Sequence, residues 1–114
     1  MPWVYDPQSG GIKIPPKIHE EICMQIESFA STRLWYPKIR LQVRFKNQFC
    51  YVDTTEEGNG RILPLCRLRH FTRENWSFAL FTYSNDRYEP CLFSDGKWEG
   101  TIESALQICE PFII

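Results

Sequence analysis

The chain has no apolar run approaching the length that crosses a bilayer, and its first residues, MPWVYDPQSGG, lack the basic stretch and apolar core of a secretory leader. A cytoplasmic protein with no membrane partner is the expectation. It also lacks an excess of either charge. Thirteen Lys and Arg against 14 Asp and Glu leave a net charge of -1 at pH 7, which excludes a surface built throughout for nucleic acid. Paired CxxC motifs are absent. Cys23, Cys50, Cys66, Cys91 and Cys109 are odd in number and widely spaced, which fits buried reduced thiols better than a disulfide framework. Neither a nucleophile elbow nor a phosphate-binding glycine loop is present, and there is no internal repeat.

What is present is aromatic and strand-forming. Aromatic residues make up 15% of the chain, and the densest run of them lies between Leu65 and Phe93. Within it, WSFALFTY places Trp76, Phe78 and Leu80 on one side of a strand and Ala79, Phe81 and Tyr83 on the other. A strand apolar on both faces is central and covered twice, or keeps one face for a partner. Leu65 to Phe71 reads as the preceding strand, with a polar turn at Thr72 to Asn75. Tyr88 to Phe93 reads as the following strand, placed at a sheet edge because Pro90 cannot donate to a ladder.

Upstream, residues 1–16 form an arm without regular structure, tied down by Trp3 and Tyr5. Pro15 and Pro16 can open a helix. Ile18, Ile22, Ile26, Phe29 and Ala30 then recur at helical spacing, and Pro37 marks the latest end. Lys38 to Lys46 alternates between Ile39, Leu41, Val43, Phe45 and Lys38, Arg40, Gln42, Arg44, Lys46, so one face is core and the other cationic. A turn near Asn47 leads to QFCYVDT. A change of one residue in that turn moves Phe49 and Tyr51 between core and cationic face, and the buried placement is favoured. TEEGNG is an exposed loop. Near the end, Thr101 caps a short helix whose buried stripe is Ile102, Ala105, Leu106 and Cys109. Phe112, Ile113 and Ile114 are apolar enough to close the core or meet another chain. These elements predict one α+β domain over 1–114: an antiparallel sheet of about five strands, with an N-terminal helix and a short C-terminal helix packed on one face. An open barrel is the alternative.

Candidate chemistry is sparse. His19 and Cys23 have helical ligand spacing but lack further ligands, and Cys66 and His70 on a strand stand about 13 Å apart. No metal or cofactor is expected. A thiol enzyme would need His70 beside Cys50 or Cys91, with Asp53 orienting it, and nothing in the sequence requires that contact. Charge is uneven, however. Residues 38–73 carry eight bases against three acids, whereas 74–114 carry two against seven.

Three blocks, MPWVYDPQSGGIKIPP, RFKNQFCYVD, and LCRLRHF with WSFALFTYSNDRYEPCLF, resemble a group of short bacterial proteins with no assigned function. The likeness spans most of the chain. It implies a single-domain cytoplasmic protein and supplies no catalytic residues. Many members carry a longer Pro-rich, acidic insertion where this chain has only TTEEGNGRI.

The leading expectation is a small non-catalytic protein-interaction module, self-associating through Phe81, Tyr83, Phe112, Ile113 and Ile114. Its partner would be a second copy or another protein. The alternative is a nucleic-acid-binding protein using a cationic face of Arg40, Arg44, Lys46, Arg67 and Arg69.

Overall fold

The structure is a computed structural model and describes residues 10–113. Trp3, Tyr5 and Ile114, to which the sequence assigns anchoring or interface roles, lie outside the described residues. A 3₁₀ turn at Pro16–Ile18 runs into α1 (His19–Ser31). Five strands follow, β1 (Ile39–Lys46), β2 (Phe49–Glu56), β3 (Ile62–Thr72), β4 (Asn75–Thr82) and β5 (Arg87–Cys91), and then α2 (Ile102–Cys109). The strands form one antiparallel meander in sequence order. Short connections leave no other economical arrangement.

Both helices pack on the same face of the sheet. Ile22, Ile26, Phe29 and Ala30 of α1 and Ile102, Ala105, Leu106 and Cys109 of α2 meet Cys50, Val52, Cys66, Leu68, Trp76 and Phe78 in a single core. Thr101 caps α2 by accepting from the Ser104 N–H at 3.2 Å. The helix ends are pinned through Glu110, whose Oε2 accepts from Arg33 Nε at 2.7 Å and Trp35 Nε1 at 3.0 Å. Beyond α2, Phe112 is 65% exposed, while Ile113 leans on the core.

The hairpin between β1 and β2 has only two residues, Asn47 and Gln48, and Asn47 adopts a left-handed φ of 54°. Asn tolerates that conformation and suits such tight hairpins. Lys46 therefore stands opposite Phe49 and Arg44 opposite Tyr51. This corrects the buried placement favoured for these aromatics: both lie on the side of the sheet away from the helices. A second difference concerns β3, which begins at Ile62 rather than Leu65. The ladder shifts between Val52 and Asp53, since Val52 pairs with Cys66 but Asp53 with Pro64. Leu65 is the extra residue of a bulge, and next to a bulge a proline costs the ladder little.

The described part of the arm is held by backbone. Ile12 N–H donates to His70 O at 2.8 Å and Ile14 N–H to Asn47 O at 2.9 Å. Gly11, with φ of +98°, packs so closely that a Cβ would stand 2.9 Å from Arg69 Cγ.

Leu106, 1% exposed in the core, and Phe112 make contrasting probes. Leu106→Ala is expected to cost about 3 kcal/mol, and Phe112→Ala to stay within about 0.5 kcal/mol. Urea unfolding of both variants measures this, and equal losses would contradict the placement of the C-terminal residues.

Candidate functional site

With the helices on one face, the other face of the sheet has neither helix against it. Its side chains form rows across the strands. One row runs Lys46, Phe49, Arg69, Ser77 and the next Arg44, Tyr51, Arg67, Ala79, Pro90. A third joins Gln42, Asp53 and Pro64, with the Phe81 and Tyr88 pair of β4 and β5 beyond it. Strict alternation on β1 and β3 sends every Arg of these strands to this side. Thus all five residues of the predicted cationic face, Arg40, Arg44, Lys46, Arg67 and Arg69, start from one side of the sheet, with Arg40 at its edge, where its Cζ lies 5.1 Å from the centroid of Tyr36.

Aromatic rings join them there. Ring centroids are separated by 6.0 Å between Phe49 and Tyr51, 5.7 Å between Tyr51 and Tyr88, 5.1 Å between Tyr88 and Phe81, and 4.9 Å between Phe81 and Tyr83. The backbones of β2 and β5 are three strand spacings apart, about 14 Å, so Tyr51 and Tyr88 meet only by reclining over the sheet. Small side chains at Ser77 and Ala79 on β4 leave room for this.

Guanidinium groups lie on the rings. Arg44 Cζ is 4.6 Å from the centroid of Tyr51 and Arg69 Cζ 4.7 Å from that of Phe49. Arg67 Cζ is 4.6 Å from Phe49 and 5.3 Å from Tyr88. At exposed sites each such contact is worth roughly 0.5–1 kcal/mol. Arg44 also donates through Nε to Asp53 Oδ2 at 3.0 Å, and this bond holds its guanidinium more firmly protonated than usual. Arg69, 6% exposed, donates to Gly10 O at 2.7 Å. Arg67 makes neither hydrogen bond nor ion pair among the described residues. Burial, then the nearby Asp53 charge, push the Tyr88 and Tyr83 phenols up, Arg44 and Arg61 respectively opposing.

Beside this band lies a depression of about 390 Å³, bounded by Gln42, Arg44, Asp53, Ile62, Pro64, Phe81 and Tyr88. The bulge at Leu65 brings Pro64 opposite Asp53. Tyr83 supports the same wall by donating its hydroxyl to Pro64 O at 2.8 Å. Sequence patterning did not reveal the depression, because it depends on the bulge and the two-residue hairpin.

The other candidates are dispersed. Phe81 and Tyr83 sit at this face, but Phe112 and Ile113 follow α2, and Ile113 belongs to the opposite, helix-covered side. His70 faces the core, its Nδ1 is 3.0 Å from Ile12 O, and its ring packs against Trp76. Asp53 faces away from it, so the structure does not bring those two catalytic candidates together. His19 stacks on Phe45 at 3.9 Å. Among the described residues, no cluster of three or more metal-ligating side chains forms.

The thiols gather inside. Cys50, Cys66 and Cys109 are fully buried. Burial, with Cys23 nearby, pushes the Cys50 thiol up, and a hydrogen bond with Cys109 together with burial does so for Cys66. Burial likewise raises Cys23 and Cys91. A nucleophilic thiol needs the opposite shift.

No helix among the described residues is long and apolar enough to cross a membrane. Comparison with protein-family models, with curated proteins and with solved structures finds no match.

Two outcomes follow from the raised groups. In the native protein Cys23 and Cys91, which are partly exposed, should alkylate before Cys50, Cys66 and Cys109. Peptide mapping after a short iodoacetamide pulse reads this, and a fast-reacting buried thiol would contradict the packing. Stability should also fall in alkali. Each raised group binds its proton more tightly folded than unfolded. Its contribution is intact below the ordinary values of 9.0 for thiols and 10.0 for phenols and is lost as pH climbs toward the folded value. Urea midpoints that rise between neutrality and about pH 11 would reverse the sign.

Proposed function

We propose that this protein is a small non-catalytic interaction module that binds an anionic macromolecule on the sheet face away from its helices. The observation that carries this reading is the gathering of Arg40, Arg44, Lys46 and Arg67 beside the buried Arg69 on one surface, with Asp53 the single carboxylate inside it among the described residues. A surface of one sign focuses potential and draws ligands of the other sign.

The same arrangement bears on self-association. A two-fold symmetric dimer pairs a patch with itself, so joining two copies through this face would set arginines against arginines. Pairing β1 with its own copy would do likewise, since Arg40, Arg44 and Lys46 would cross the same sheet surface. Pro90 interrupts the other edge strand. A partner of opposite charge therefore fits better than a second copy.

The full chain should be retained on immobilised heparin at low salt and elute at markedly lower salt when Arg40→Glu and Lys46→Glu are combined. Both side chains are exposed and neither holds an ion pair among the described residues, so the fold is preserved. Unretained wild type, or a variant eluting with it, overturns the reading. A dimer by light scattering that persists at high salt would favour self-association instead.

A further inference from the structure

We infer that the anionic partner is single-stranded nucleic acid, whose bases stack on the aromatic band and enter the depression between β1, β3 and β5. This inference rests on the anion-binding reading above and narrows it. Two observations distinguish nucleic acid from an acidic polypeptide.

The first is the aromatic content of the charged surface. Carboxylates need only the guanidinium groups, whereas bases need flat apolar rings as well, and single-strand-binding surfaces combine the two. Here Phe49 and Tyr88, whose ring centroids lie 4.6 and 5.3 Å from Arg67 Cζ, flank Arg67, whose donors have no partner among the described residues. Its guanidinium offers a phosphate contact between two stacking platforms. Along β1, Arg40, Gln42, Arg44 and Lys46 recur about every 7 Å, a ladder of mostly basic groups beside the rings.

The second is the depression. Ile62, Pro64, Phe81 and Tyr88 give it apolar walls, which a carboxylate would gain nothing by entering. The polar groups lie to one side of it: the Gln42 amide, the Asp53 carboxylate and the Arg44 guanidinium bonded to it at 3.0 Å. Together they present donors and acceptors in one place, as the hydrogen-bonding edge of an inserted base requires. Asp53 would repel an acidic side chain there but can accept from an exocyclic amine. A duplex keeps its bases stacked and its pairing edges occupied, so it would meet only the cations.

The test is fluorescence anisotropy on the full chain with labelled RNA and DNA single strands about 12 nucleotides long, a duplex of the same sequence, and polyglutamate. The single strand should bind tightest. Its affinity should fall linearly in log salt, by about 0.7 in log K per decade for each phosphate contacted. Tyr88→Leu, which keeps charge and most of the packing, should weaken single-strand binding about tenfold or more and lower heparin retention far less. Gln42→Ala, at an exposed position on β1, should weaken it less and change the preference among homopolymers; it keeps the test valid if Tyr88→Leu does not fold. Polyglutamate or duplex binding as tight as the single strand, or both variants binding like wild type, overturns the nucleic-acid inference while anion binding stands. Loss of every anion, heparin included, overturns both.

Discussion

The conformation of Asn47 is the constraint on which the outer surface depends. A left-handed φ of 54° there closes a hairpin of two residues, and a hairpin of that length sets Lys46 opposite Phe49. Because side chains alternate strictly, this one pairing settles the destination of every residue on β2. Cys50 and Val52 go to the core, and Phe49, Tyr51 and Asp53 go outward among the cations. A turn longer by one residue would bury the aromatics and expose the thiol and the valine. The core would then gain bulk it has no room for, and the cationic face would lose the Phe49 and Tyr51 rings and the Asp53 carboxylate.

Given that register, the surface reads as a compromise between attraction and repulsion. Five like charges on one small face repel each other, and local contacts moderate this. Arg44 is bonded to Asp53, Arg69 to the Gly10 carbonyl, and the guanidinium planes of Arg44, Arg67 and Arg69 lie on ring faces. Arginine suits this role better than lysine, since its planar, weakly hydrated head stacks on a ring while its N–H groups stay available at the edge. The face is therefore orderly without being neutral.

Much of the interior was legible in the sequence because it depends on periodicity alone. Ile102, Ala105, Leu106 and Cys109 at helical spacing, Thr101 before them, and the alternation from Ile39 to Lys46 each specify a face without reference to other elements, and the structure places all of them accordingly. The five-stranded α+β architecture follows from those patterns and the short connections. The outer surface was legible only in part. Its cations were visible, since Arg40, Arg44 and Lys46 share one strand and Arg67 and Arg69 another. Two of its aromatics, Phe49 and Tyr51, were assigned to the wrong side, because apolar character argues for burial while a single left-handed residue decides the register. The depression was invisible for a related reason: β3 continues through Pro64 across a bulge at Leu65, and a proline in a strand pattern reads as its end.

Ser77 and Ala79 complete the logic of the face. On a central strand with apolar residues on both sides, small side chains look like lost opportunities for packing. Yet they leave the hollow into which Tyr88 reclines to approach Tyr51, and over which Arg67 lies between Phe49 and Tyr88. Larger residues there would stand the rings upright and separate them, turning a continuous aromatic band into isolated side chains. The size of two buried residues on β4 thus shapes the surface as directly as the charges do, and it does so through the same alternation that fills the core behind them.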